Sequence, residues 1–168
     1  MYLIDANVLI EAKNRYYAFD LAPGFWVWLE QAHQRQLLGS VVAVREELLA
    51  GDDDLADWAH SRHDFFHDVD RPTARTLATV ARWVEGQQYT HAAVAEFLGG
   101  IADFYLVADG LAHGATVVTR ERSDPLARRR VMIPNVCDGL GVAYCDPFAM
   151  MRATGAILDL RSPWPLAG

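Results

Sequence analysis

Met1-Tyr2-Leu3-Ile4-Asp5-Ala6-Asn7-Val8-Leu9-Ile10 opens the chain, and this decade decides the fold class. A short apolar run ends at an acid, and a second apolar run at helical spacing starts just beyond it. A buried strand that stops at a carboxylate is how an α/β fold delivers an acid to the crevice at the carboxyl end of its sheet. An aspartate in that place also serves to cap the following helix. Asp5 alone therefore leaves capping and chemistry both open.

Further carboxylates fall in equivalent places. Gly100 to Ala108 reads as the start of a helix with Asp103 in its first turn, continuing through Leu111 to Gly114 as the glycine past its end. Ala115-Thr116-Val117-Val118-Thr119 reads as a second buried strand, running into Arg120-Glu121. Val41 to Leu49 offers an amphipathic helix bearing Glu46 and Glu47, neighbours that point about 100° apart. Four carboxylates from separated segments would then converge at one edge of one sheet.

Elsewhere the chain shows no linker and no repeat. Pro23-Gly24 introduces a helix with Phe25, Trp28, Leu29 and Ala32 on one face; Trp26 lies off that face, so it packs elsewhere or meets a partner. Asp52-Asp53-Asp54 reads as the acidic first turn of a helix through Leu55, Trp58 and Ala59, where negative charge suits the dipole, rather than as a metal site. Thr73 to Val84 predicts another helix, and Thr90 caps one containing Val94, Phe97 and Leu98. Val142 to Cys145 predicts a strand, followed by Asp146-Pro147 as N-cap and first residue of a short helix through Met150 and Met151. Short strands separated by helical patterns favour a parallel sheet.

Composition bounds the function. The 168 residues suit one domain with its own core, about half of them apolar, and no run approaches the length of a membrane span. The N-terminus lacks a basic region and a long apolar segment, which argues against a signal peptide. Cys137 and Cys145 lack metal-ligand spacing and read as small core residues in a reduced, cytoplasmic setting. The formal net charge of -7 is unusual for a nucleic-acid binder. Locally the sign reverses: Arg120, Arg122, Arg128, Arg129 and Arg130 lie beside Glu121 and offer a basic rim for an RNA backbone, a solvated loop, or a landing site for an acidic partner.

Asp5-x-Asn7 after an apolar strand, a Glu before Leu48, Ala102-Asp103 opening a helix, and Val117-Val118-Thr119-Arg120-Glu121 together resemble the PIN domain, a ribonuclease family that includes toxins of bacterial type II toxin–antitoxin pairs. The order and spacing of these motifs carry the resemblance, and the stretch Leu9 to Tyr17 suggests a little-described branch. It implies a three-layer α/β sandwich, with a twisted parallel sheet of about five strands flanked by helices. On the family's element order, the single domain 1–168 has its core at about residues 1–152 and a tail at about 153–168.

The resemblance implies catalytic, metal-binding acids at Asp5, Glu47, Asp103 and Glu121. The acid immediately before an aliphatic residue is Glu47 rather than Glu46. The fourth family acid is usually Asp; here Glu121 is favoured over Asp124, with a longer arm that would hold an ion differently or through water. Mg²⁺ or Mn²⁺ suits such oxygen donors and would relieve their repulsion, lower the pKa of a water and stabilise charge on the attacked phosphate. Asn7 and Thr119 would stand behind the acids and orient them, or would simply satisfy turn backbone. The implied activity is endonucleolytic hydrolysis of RNA leaving 5′-phosphate and 3′-hydroxyl ends, with a cognate antitoxin and a homodimer as expected partners. Tyr16, Tyr17, Phe19 and Pro163-Trp164-Pro165 are candidate partner surface, or ordinary packing.

Three rival readings stand beside this one. His60, His63 and His67 would line one face of a continuous helix, where imidazoles can hold Zn²⁺, although Phe65 and Phe66 interrupt it and a solvated face is the simpler reading. Asp5-x-Asn7 superficially resembles haloacid-dehalogenase-type phosphatases, but Asn7 cannot donate the proton their second acid supplies. A PIN fold acting by protein contact with a degraded site is the more serious rival.

Overall fold

In the computed structural model, which describes residues 1–159, the opening apolar run forms β1 (Tyr2–Ile4) and the chain passes through Asp5 into α1 (Ala6–Glu11). A π-helical turn (Ala12–Tyr16) follows, then α2 (Pro23–Gln34), β2 (Leu38–Val41), α3 (Val42–Leu49) and α4 (Asp54–Ser61). A 3₁₀ turn (His63–Phe65) leads to β3 (Phe66–His67), α5 (Arg71–Glu85), α6 (His91–Gly99) and α7 (Ile101–His113). The chain then forms β4 (Thr116–Val118), α8 (Ile133–Leu140), β5 (Tyr144–Cys145) and α9 (Pro147–Ala153).

All four strand pairings are parallel, in the order β3-β2-β1-β4-β5. Parallel neighbours need crossover connections, and these helices flank the sheet, giving the expected three-layer α/β sandwich. Leu3, Ile4, Leu38, Val41, Val117 and Val118 are buried, so the central strands form the core. From β1 the chain builds β2 and β3 on one side and β4 and β5 on the other. The direction of winding therefore reverses between β1 and β4, which opens a crevice past their carboxyl ends.

The capping residues read from sequence hold. Asp53 accepts from the amides of Leu55 and Ala56 and pairs with Lys13 at 2.9 Å; Thr90 and Asp146 cap α6 and α9; Gly114 ends α7 at φ 62°. Trp26 packs internally, stacked on Phe19 at 4.0 Å, with its indole N–H donating to the Tyr17 carbonyl at 2.7 Å. Tyr17 stacks on Phe25 at 4.3 Å. Of the candidate partner aromatics, Tyr17 and Phe19 are thus packing residues and Tyr16 stays exposed. Pro163-Trp164-Pro165 lies outside the described residues. No single helix among them is long and apolar enough to cross a membrane.

Two expectations need correction. Val41 closes a strand instead of opening the helix, because Leu38-Gly39-Ser40-Val41 is wholly buried beside β1. Its polar member is satisfied there, the Ser40 hydroxyl donating to the Ile4 carbonyl at 2.6 Å. Gly39 allows close approach, since a Cβ would sit 3.2 Å from the Phe65 carbonyl oxygen. Trp28 keeps to the face expected of it, packed partly buried against the core with its ring 5.6 Å from that of Phe25.

The histidine row is also broken. Phe65 and Phe66 both enter the core, and α4 stops at Ser61, so His60, His63 and His67 fall on a helix, a 3₁₀ turn and a strand. His67 turns instead to the buried Asp109, at 2.9 Å. Asp109 also accepts from the Thr73 hydroxyl at 2.7 Å, tying β3 and α5 to α7. The Asp109 carboxylate raises the His67 pKa above its ordinary 6.5. This pair's contribution to stability is therefore full below about pH 6.5 and is lost as pH rises through the raised value. Asp109→Ala would strand two polar partners, and we expect a loss of about 2–4 kcal/mol in a urea titration near pH 6. Wild-type stability in that variant would mean that the network holds nothing together.

Of the two cysteines, Cys137 lies in the core and Cys145 is only partly buried against it. Cys137 is buried, its thiol pushed up to about 12 chiefly by that burial, and the Cys145 thiol is raised for the same reason.

Candidate functional site

Asp5 stands at the crevice with 1% of its surface exposed. One carboxylate oxygen accepts from the Asn7 amide at 3.3 Å and caps α1; the other accepts from the Thr119 hydroxyl at 2.9 Å. Capping and site placement are thus both done by one side chain. Thr119, buried just past β4, also accepts from the Glu121 amide at 3.1 Å, so one hydroxyl positions acids from both central strands. Asn7 contributes its backbone only; among the described residues its exposed side chain makes no hydrogen bond.

Burial raises the Asp5 pKa from 3.8 to about 6 against the pull of Thr119 and Asn7, and the charges of Glu121 and Glu47 add to the rise. Asp103 comes from the first turn of α7, where the helix N-terminus faces the carboxyl edge of the sheet. Burial, then the charges of Asp5, Glu121 and Glu47, push it up to about 7, opposed by Arg130. Its carboxylate has no hydrogen-bond partner among the described residues. Glu47 stands on the exposed side of α3, whose Ala43, Val44 and Leu48 are buried, and partial desolvation of its carboxyl raises its pKa.

These mutual effects sort the candidate acids. The charges acting on Asp5 and Asp103 are those of Glu47 and Glu121, with neither Glu46 nor Asp124 among them. Asp124 instead shapes its own exposed turn, accepting from the Leu126 amide at 2.9 Å. Glu121 is strongly held: one oxygen takes Arg130 at 2.5 Å and the other takes the Ile133 amide at 2.8 Å. No three His, Cys, Asp or Glu side chains among the described residues stand close enough to enclose an ion as placed. The donor chemistry fits Mg²⁺ or Mn²⁺: hard oxygens, mutual repulsion, and one acid without a hydrogen-bond partner. Here the compensating positive charge is Arg130.

The arginine run divides. Arg120 pairs with Glu11 and lies 5.3 Å above the Tyr16 ring; Arg130 is taken by Glu121. Arg128 donates to the carbonyls of Pro125 and Ala127. Arg122 and Arg129 are exposed and unpaired among the described residues. Sequence reasoning missed Arg152, an exposed residue that α9 brings to the same cleft as Arg122. Only the local β5–α9 pattern hinted at its position.

A family model described as a domain of unknown function, DUF4411, matches residues 2–158, and the chain belongs to that family. No curated protein and no solved structure matches it.

Proposed function

We propose that this DUF4411 protein is a divalent-metal-dependent endoribonuclease of PIN type, with Asp5, Glu47, Asp103 and Glu121 as its acids. One observation carries the reading. Acids from four separate segments gather at the β1/β4 switch point, where burial first and the neighbouring carboxylate charges second raise Asp5 and Asp103 to about 6 and 7. No packing need explains such a set, and perturbed carboxylates gathered in a crevice are characteristic of functional sites. Mg²⁺ or Mn²⁺, when bound, would supply activation of water and charge stabilisation at the phosphate. The chain's own part is to hold Asp5 and Glu121 in register through Thr119, to bring Asp103 from α7, and to present positive charge at the rim.

We read the protein further as a cytoplasmic toxin of a type II pair, met by an antitoxin and pairing with a second copy. That reading rests on the resemblance of its motifs. A contact module with a degraded site is the second reading, favoured by one feature: both Glu121 oxygens are already engaged.

Incubating the protein with a pool of structured and single-stranded RNA decides between them. The nuclease reading expects cutting with Mg²⁺ or Mn²⁺ that stops in EDTA. A module would leave the pool intact under all conditions. Thr119→Val removes the hydroxyl that serves both strands' acids. We expect Mn²⁺ affinity, measured by calorimetry, to fall about 10–100-fold. Unchanged affinity would remove Thr119 from the site.

A further inference from the structure

A cleft of about 610 Å³ that includes Glu121, one of the four acids, opens past β4 and β5. Buried Thr119 and half-buried Glu121 line it together with the exposed Arg122, Tyr144, Phe148 and Arg152. Its volume falls in the range of roughly 300–1,000 Å³ usual for small-ligand sites. Two features of the exposed lining point to a ligand class. Phe148 is 41% exposed and Tyr144 36%, large rings left open to solvent at the edge of a polar site. Phe148 is steadied edge-on by Tyr16 at 6.4 Å, over which Arg120 lies, and its ring remains partly open to solvent. Arg122 and Arg152 make no ion pair among the described residues. Asp146, the other acid of the cleft, spends one oxygen on the amides of Phe148 and Ala149 at the start of α9.

The geometry points to this cleft as a nucleotide subsite that takes one unpaired base of single-stranded RNA against Phe148 or Tyr144, with Arg122 and Arg152 on the neighbouring phosphates. The inference rests on the ribonuclease reading and names its substrate. An aromatic ring accepts any base by its face, and guanidinium groups hold the backbone. A concave site admits a splayed base, whereas the paired bases of a duplex remain stacked out of reach. The shared wall at Thr119 and Glu121 would set the next phosphate before the acids.

The test uses fluorescence anisotropy in EDTA with an unstructured, labelled RNA of about 12 nucleotides. Its duplex and the single-stranded DNA of the same sequence serve as comparisons. Phe148→Ala should weaken single-strand binding about 5- to 100-fold, leave duplex binding unchanged, and be restored by Phe148→Trp. Arg152→Gln should flatten the slope of log affinity against log salt by about 0.7. Both side chains are exposed, and circular dichroism checks that the variants fold. Cutting by wild type with Mn²⁺, with binding and cutting unaltered by Phe148→Ala and Arg152→Gln, overturns the subsite and leaves the nuclease standing. Phe148-dependent binding without any metal-dependent cutting supports the subsite and overturns the nuclease. Equal binding and cutting of the DNA overturns the assignment to RNA, and no binding to any strand overturns the subsite outright.

Discussion

Asp103→Asn is expected to lower metal-dependent RNA cleavage by about a thousandfold, equivalent to about 4 kcal/mol of transition-state stabilisation. The substitution is nearly isosteric and removes one negative charge from the set that raises Asp5 and Asp103 together. It leaves no hydrogen bond broken among the described residues, so lost activity would not be lost structure. Asp5→Asn should reach a similar loss, but it also disturbs the Thr119 hydrogen bond and the cap of α1. The two variants are read as kcat/KM on one labelled RNA with Mg²⁺ and with Mn²⁺. Cutting by Asp103→Asn at the wild-type rate would mean that the acids do not act as a metal site.

The same variant should gain stability when no metal is present. The folded state holds Asp5 at about 6 and Asp103 at about 7, against an ordinary 3.8. Between those values the folded chain binds protons that the unfolded chain has released. Stability therefore falls as pH rises from about 4 to about 7 and levels off above. Asp103→Asn removes the larger share of that loss. Solvent at the half-buried carboxyl trims the full shift, leaving a gain of about 2 kcal/mol near pH 8. For a chain of this size that is roughly 4–8 °C in Tm, with little difference from wild type near pH 4. Scanning calorimetry in EDTA at both pH values would test it. A variant that melts below wild type near pH 8 would show that the acid cluster carries no electrostatic strain.

Asp53, Thr90, Asp146 and Gly114 were legible because a cap is a contract between residues a few positions apart. So was the handover from β1 to Asp5, since an apolar run broken by an acid is written in consecutive letters. The short strands β2 and β3 were not legible. Gly39 and Ser40 carry no strand pattern, and only burial beside β1 makes them one. Phe66 and His67 are too few to show a period, and their pairing with β2 is what makes them a strand.

The sequence by itself determined that acids would arrive at strand ends and helix starts of a parallel α/β sheet, because local propensity and period set where each element begins and stops. Which acids meet was decided by tertiary structure. β1 and β4 lie side by side, Tyr2 opposite Thr116 and Ile4 opposite Val118, although the helices α1 to α7 come between them in sequence. The sheet order and the helices packed on it bring Glu121 and Glu47 to act on Asp5 and Asp103, and set His67 against Asp109. They also assemble Arg122, Tyr144, Phe148 and Arg152 around one cleft. Contacts between distant segments depend on strand order and register, and neither is encoded in any short window of residues.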